Sequence, residues 1–379
     1  MSMRSWAAAL AAALATVPFA LGPGARAEAP RVSAAVTHAN VSVFLLRGQS
    51  AAGPVPLALA EALEKGAIDV HETGNVRELK IENKGSEPVF VQLGDIVKGG
   101  RQDRVLTVSL LLPPQSGLVP IGAYCVEQGR WSARGLEDAR RFAASDALLP
   151  SREAKVAIAR PLASAATPVA PSPQARARSP IEAELNSVAQ GDRQRGLEQR
   201  AAGLGRGGSD SQGEVWRNVD VLQRSLSDTL ATSVASDRSR TSLQLSLEND
   251  ALKAAQAAYV AALEPAGRDG DDVVGVAIAI GGRLASADLY PSNGLFRKMW
   301  PKILRAAATE AIALKEPAPA APPTVEAVAA FLAGAETGER SERALGALAT
   351  LETRDGDRAL SVRASSPKGD FIHRAYLAK

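Results

Sequence analysis

Two runs of alternating apolar residues, joined by a turn signal, constrain this chain more than any other feature. Val105 to Leu112 sets Leu106, Val108, Leu110 and Leu112 on one face, the period-two pattern of a half-buried strand. Leu118 to Val126 sets Leu118, Pro120, Tyr124 and Val126 on one face. Between them, Pro113-Pro-Gln-Ser-Gly117 reads as a turn. The expected element is a β-hairpin in which Leu112 meets Leu118. A slip of one residue would turn every side chain to the other face, so the apolar match sets the register. That register places Arg104 opposite Val126 and Asp103 opposite Glu127.

The open end of this hairpin is densely polar. Lys98-Gly-Gly-Arg-Gln-Asp-Arg104 leads in, and Cys125-Val-Glu-Gln-Gly-Arg-Trp131 leads out. Gly99 and Gly100 permit positive φ, so their N–H groups, beside Lys98, could form an anion-holding nest. Arg101 and Arg104 could grip a phosphate or carboxylate in fork geometry. Arg130 and Trp131 could stack on an aromatic ligand, with Gln102 and Gln128 orienting it. Asp103 and Glu127 are the best paired carboxylates, able to divide general acid and base roles if they face each other. The competing reading is a polar turn whose arginines pair with Asp95, Asp103 and Glu127, with Trp131 as a core anchor.

The first residues read as a secretory signal. Arg4 supplies the charged start, Trp6 to Leu21 the apolar core, and Ala25-Arg26-Ala27 a small-x-small cleavage site before Glu28. The core is short and broken by Pro18, which argues against a membrane anchor, and no later stretch is apolar enough to span. The expected location is exported, periplasmic or secreted. Loss of Arg4 and Arg26 takes the net charge from +3 to about +1, which implies no general polyanion or nucleic-acid binding. Cys125 is the single cysteine, so no internal disulfide forms, and its alternation with Ile121 and Ala123 suggests a buried thiol.

Val36 to Leu46 reads as a first strand and Leu57 to Lys65 as a helix stopped by Gly66. Val76 to Asn83 and Glu87 to Val97 suggest a second hairpin. Composition then shifts: residues 161–180 are rich in Pro, Ala and Ser, and 190–213 in Gly, Arg, Gln and Ser. Helical periodicity resumes near Gln212, with Val215, Val219, Leu222 and Leu226 on one face, and again over Leu243 to Leu263. A tight hairpin at Gly281-Gly282 and a helix from Ser292 follow, with Phe296, Trp300 and Leu304 inward and Pro301 expected to kink or restart the helix. After a Pro-Ala linker, Val325 to Leu332 reads as helix, and Leu348 to Leu377 as three strands. The domain reading is therefore a signal peptide at 1–27, a β-rich half at 28–160, a low-complexity insertion at 161–211, a second half of the same domain at 212–315, and a Pro-rich linker with C-terminal extension at 316–379. The fold class is α+β, an antiparallel sheet with packed helices.

Standard catalytic motifs are absent. His38, His71 and His373 are far apart, so neither metal-ligand spacing nor a Ser/His arrangement is evident, and no cofactor is expected. Gly203-Leu-Gly-Arg-Gly-Gly208 matches a dinucleotide fingerprint by chance, since no strand precedes it. Asp288 ends a strand and could join a pocket or cap a helix. At Gly94-Asp-Ile-Val-Lys-Gly-Gly-Arg-Gln-Asp-Arg104 and Val126-Glu-Gln-Gly-Arg-Trp131 the chain resembles the ARG and Rhodanese-Phosphatase-superfamily-associated protein domain family. Gln212-Gly-Glu-Val-Trp216 and the Gly275–Trp300 region support the likeness, which covers about residues 36–313. The family name records an association with ADP-ribosylglycohydrolases and rhodanese-phosphatase proteins. It thereby implies ADP-ribose or phospho-ligand metabolism, without an established reaction. Two functional expectations stand: binding, with or without hydrolysis, of a small anionic ligand, or a non-enzymatic envelope or secreted module that meets a protein partner through its C-terminal extension.

Overall fold

The computed structural model describes residues 29–130, 132, 141–164, 211–314 and 320–379. The expected leader, Trp131 and most of the stretch 161–211 lie outside the described residues. The chain opens with a hairpin of β1 (Arg31–His38) and β2 (Val41–Arg47), turned at Ala39 and Asn40, where periodicity predicted one strand. Strand β3 (Leu57–Ala58) runs into helix α1 (Leu59–Glu64). Then come β4 (Ile68–Glu72), β5 (Glu78–Asn83), β6 (Val89–Val91), β7 (Asp95–Gly99), β8 (Arg104–Leu106), β9 (Leu110–Leu112) and β10 (Leu118–Cys125). Strand β11 (Phe142–Leu148) and helix α2 (Arg152–Ser164) close the first half. The second half holds α3 (Ser211–Leu230), α4 (Leu243–Leu247), α5 (Asp250–Leu263), β12 (Val273–Ile280), β13 (Arg283–Leu289) and α6 (Asn293–Ala313). Helix α7 (Val325–Ala335) and strands β14 (Glu339–Leu345), β15 (Ala349–Asp355), β16 (Ala359–Ser365) and β17 (Phe371–Ala378) complete an α+β fold.

Three sheets divide these strands. The largest runs β1-β2-β12-β13-β17-β16-β15-β14, the second β11-β7-β8-β10-β5-β4, and the third β3-β6-β9. Strand β12 shows why the large sheet is covered on both faces. Its run Val-Val-Gly-Val-Ala-Ile-Ala-Ile has no polar position, and every residue is buried. Val276, Ile278 and Ile280 enter the main core, while Ala277 and Ala279 join Phe44, Leu46, Val328 and Leu332 on the opposite face. Helix α7 covers that second face. Helix α6 lies in the main core and is buried on most sides, from Leu295 to Ile312. It continues through Pro301 without restarting: burial of Met299, Trp300, Ile303 and Leu304 offsets one lost backbone bond. No helix among the described residues is long and apolar enough to cross a membrane.

The structure corrects the two hairpins expected in the first half, while the one at Gly281-Gly282 forms between β12 and β13. Strand β5 pairs with β4 and β10, whereas β6 pairs with β3 and β9, so 76–83 and 87–97 are not partners. Asn83 ends β5 because its side chain gathers the loop, donating to Glu87 O and Pro113 O and accepting from Gly85 N–H. The run 105–112 is likewise not one strand. Strand β8 pairs with β10 one residue out of the expected register, Arg104 opposite Cys125 and Val105 opposite Tyr124, and β9 leaves for β6. Thr107 is the point of departure. Its Oγ1 occupies the space at Gly122, where a Cβ would lie 2.5 Å away. Leu118 pairs with Glu82 and never meets Leu112. Further along, the helix expected over Leu243 to Leu263 breaks at Asn249, whose side chain accepts from Ala251 and Leu252 N–H and caps α5. Strand β17 hydrogen-bonds to β13, so the segment after 316 enters the main sheet.

Two outcomes test this architecture. Lys302 of α6 pairs with Asp95 of β7, both nearly without exposure. Lys302→Met should cost about 3–5 kcal/mol in urea unfolding, because it leaves a buried carboxylate unanswered. Glu310 of α6 is held at a pKa of about 7, raised by burial and by Glu153, with Lys155 and Arg152 opposing. Its folded value exceeds the ordinary 4.5, so its unfavourable contribution grows as pH rises from 4.5 to about 7 and is constant above. Glu310→Gln should stabilise the fold by about 1–2 kcal/mol at pH 8 and change little at pH 4.

Candidate functional site

The one-residue slip still brings the two polar runs together. Val126 N–H donates to Asp103 O at 3.1 Å, and Arg130 bridges the carboxylates beyond it. Its Nε lies 2.6 Å from Glu127 Oε2 and its guanidinium 3.6 Å from Asp103 Oδ1. The same guanidinium donates to the carbonyls of Gly100 (3.2 Å) and Ser132 (2.6 Å). Gln102 donates to Glu127 O and accepts from Arg104, while Arg104 also faces Glu72 at 3.5 Å. The Cys125 thiol reaches Gln102 Oε1, and Gln212 of α3 holds both the N–H and C=O of Cys125. Asp103, Arg104 and Glu127 have no exposed surface.

Both glycines take positive φ as expected, but their N–H groups do not converge on one anion site and are satisfied by the protein itself. Gly99 (φ 114°) donates its N–H to Asp103 Oδ1 at 2.9 Å, and Arg101 donates its N–H to Glu72 Oε1 at 2.8 Å. Gly100 (φ 56°) donates to Arg141 O instead. Neither glycine tolerates a Cβ: one at Gly99 would lie 2.5 Å from Arg141 O, and one at Gly100 would overlap the Phe142 ring. Of the other sequence candidates, Arg101 and Gln128 are exposed, and the Gln128 carbonyl accepts from Thr241 at 2.6 Å. Trp131 lies outside the described residues.

Two links carry this buried network to a cleft. Ser242 Oγ donates to Asp103 Oδ2 at 3.0 Å and caps α4 by accepting Leu245 N–H at 3.1 Å. Lys98 Nζ lies 2.6 Å from Glu248 Oε1, just past the end of α4. The cleft, of about 350 Å³, lies among β11, α4, α5 and α6 and is lined by Gln244, Glu248, Lys253, Gln256, Arg305 and Asp146. Its volume falls in the range of small-ligand sites. A second cavity of about 380 Å³ shares Glu248 and Lys253 with it. Burial pushes the Glu248 carboxyl up, but hydrogen bonds from Lys98 and Gln244, with the charges of Lys98 and Lys253, outweigh it and hold the group below its ordinary value. Among the described residues Lys253 and Arg305 make no ion pair, and Arg305 reaches only the carbonyl of Asp146, at 3.5 Å.

Sequence reasoning missed a second polar chain, in the core. His373 Nδ1 lies 3.0 Å from Ser109 Oγ, and its Nε2 lies 3.2 Å from Asp288 Oδ1. Leu93 N–H also donates to Ser109 Oγ. Gln92 joins Asp288, Asp95 and Tyr290 through its side chain and backbone. Burial, with the charges of Asp288 and Asp95, pushes the Tyr290 hydroxyl well above its usual range. Asp288 of β13, His373 of β17 and Ser109 from the link before β9 converge here from distant parts of the sequence, which no local spacing announces. Ser109 and His373 are 3% and 1% exposed, so no substrate reaches this hydroxyl as arranged. Across β4 and β5, Asp69, His71 and Glu82 offer ligand atoms within 4.8 Å of one another. Lys84 already answers Asp69 at 2.6 Å, and His71 Nε2 lies 3.9 Å from Glu82 Oε2.

The motif network should respond to mutation mainly through stability. Arg130→Ala leaves Asp103 and Glu127 buried together without their shared cation, and should cost about 3–5 kcal/mol in chemical denaturation. A loss below about 1 kcal/mol would contradict the structural role.

No curated protein and no solved structure matches the chain. The family match, by contrast, runs from residue 29 to 377, past both ends of the likeness read from the motifs and through α7 and β14–β17. With nearly all of the described fold inside that match, the chain belongs to the ARG and Rhodanese-Phosphatase-superfamily-associated Protein domain family.

Proposed function

We propose that this domain binds a small anionic ligand in the cleft among β11, α4, α5 and α6. One observation carries the reading: Lys253 and Arg305 line a cavity of ligand size with no ion-pair partner among the described residues. Two cations left facing a concavity attract an anion more strongly than they would on open surface. The motif residues then support the cleft from behind. Asp103 reaches α4 through Ser242, and Lys98 fixes Glu248. In this reading Asp103 and Glu127 hold structure and transfer no proton, since their charges are answered by Arg130 and their surfaces are covered. The association recorded in the family name is compatible with a phosphorylated ligand. The leader-like residues 1–27 support an exported setting. A separate partner-binding extension has less support, because β17 completes hydrogen bonds to β13.

Calorimetric titration with inorganic phosphate and with simple phosphate esters tests the proposal. Lys253→Ala and Arg305→Ala should each weaken binding about tenfold, the worth of one charge-assisted contact, and binding should weaken as salt rises. Arg101→Ala, outside the cleft, should leave it unchanged. An intact fold that takes up no anion, or variants that bind as well as the parent, would sink the idea.

A further inference from the structure

The same cleft carries acceptors as well as cations. Glu248 presents a carboxylate of which one oxygen, Oε1, takes both Lys98 Nζ (2.6 Å) and Gln244 Nε2 (2.9 Å). Its side chain is 32% exposed and lines both cavities. Because a carboxylate only accepts, the Gln244 amide must turn its NH2 toward Glu248, which fixes the direction of its carbonyl oxygen. That oxygen is buried and has no donor, in a residue 2% exposed that lines the cleft. A ligand that carried only negative charge would satisfy Lys253 and Arg305 and leave these acceptors without donors.

Resting on the reading above, we propose that the ligand is a hydroxyl-bearing anion, in class a phosphorylated polyol or hydroxy acid. Its charge lies between Lys253 and Arg305, and its hydroxyl donates to Glu248, with Gln244 as the neighbouring acceptor. On charge alone, two cations and two carboxylates, Glu248 and Asp146, suit a zwitterion. The neighbourhood of Glu248 argues against it. An ammonium placed there would approach Lys98, already 2.6 Å from the carboxylate, and Lys253 beyond it. A neutral hydroxyl meets no such repulsion and still supplies the proton that a carboxylate oxygen accepts. The acceptor remains available at neutral pH because the same two lysines keep Glu248 ionised.

The full chain is titrated with methyl phosphate, glycerol 3-phosphate and serine. Glycerol 3-phosphate should bind about tenfold more tightly than methyl phosphate, the gain from one hydroxyl-to-carboxylate bond, and serine should bind more weakly than either. Glu248→Met should bring the two phosphates to within about twofold of each other while methyl phosphate binds at least as well as before. Gln244→Met, read in the same ratio, serves if the first variant does not fold. Equal binding of the two phosphates by the parent protein overturns the hydroxyl requirement and leaves the anion site standing. Tighter binding of serine overturns it in favour of a zwitterion. Failure of every phosphate to bind removes the anion site, and this inference with it.

Discussion

The ion pair between Lys302 and Asp95 is the contact on which the rest of the structure depends. It ties the central helix α6 to β7 in a region where both partners are nearly excluded from water. Such a pair is stabilising only when its remaining valences are met. Asp95 Oδ2 accepts Gln92 N–H, and Gln92 in turn holds Asp288 and the Tyr290 hydroxyl. His373 extends the chain to Ser109, between the rings of Phe90 and Tyr290. Strands β7, β13 and β17, the residues flanking β6 and β9, and the central helix thus share one polar thread through an apolar interior. A thread of this kind rewards a single alignment of the sheets, since any displacement leaves several buried groups without partners.

The polar cluster at Lys98–Arg130 works at a different place by the same rule. Arg130 answers two carboxylates and at least two carbonyls, while Asp103 answers the Gly99 N–H and the cap of α4. The residues most suggestive of a ligand are therefore engaged with one another. What they deliver is placement: α4 held by Ser242 and Glu248 held by Lys98, in the lining of a cleft that Arg305 also lines. A dense motif can be a scaffold for a sparse site, and the sparse site carries less signal in the sequence.

That asymmetry explains what was legible. Helices α3, α6 and α7 and the β12–β13 hairpin follow their apolar periodicity, and α6 starts at Ser292, as read, with Ser292 rather than Asp288 as its cap. The meeting of Asp103 and Glu127 was also legible, although through a register one residue off. Alternation over Val105 to Leu112 could not reveal that Thr107 fits against Gly122 and sends β9 to another sheet. The split of β5 from β6 rests on Asn83 side-chain bonds to carbonyls up to thirty residues away, which carry no local pattern. Strand β11 and helix α2 were missed because their apolar residues are few or interrupted, as at Pro161. Lys253 and Arg305 look like ordinary surface charges in the sequence. Only the approach of α5 to α6 makes them neighbours of one cavity.

The order β2-β12-β13-β17 within one sheet has a kinetic consequence. Arg47 on β2 meets Asp272, beside β12, across 225 positions, and β13 then waits for β17, the last strand of the sheet. Such non-local pairing gives the chain a high contact order, and chains of that kind search slowly for their native topology. A ribosome that has released only the first half leaves β2 without its inner neighbour, its apolar faces uncovered. The two smaller sheets take all their strands from residues 57–148 and can form as that half emerges, but the large sheet cannot. The large sheet stays open until its final strands emerge, and for that interval its apolar faces depend on protection from aggregation.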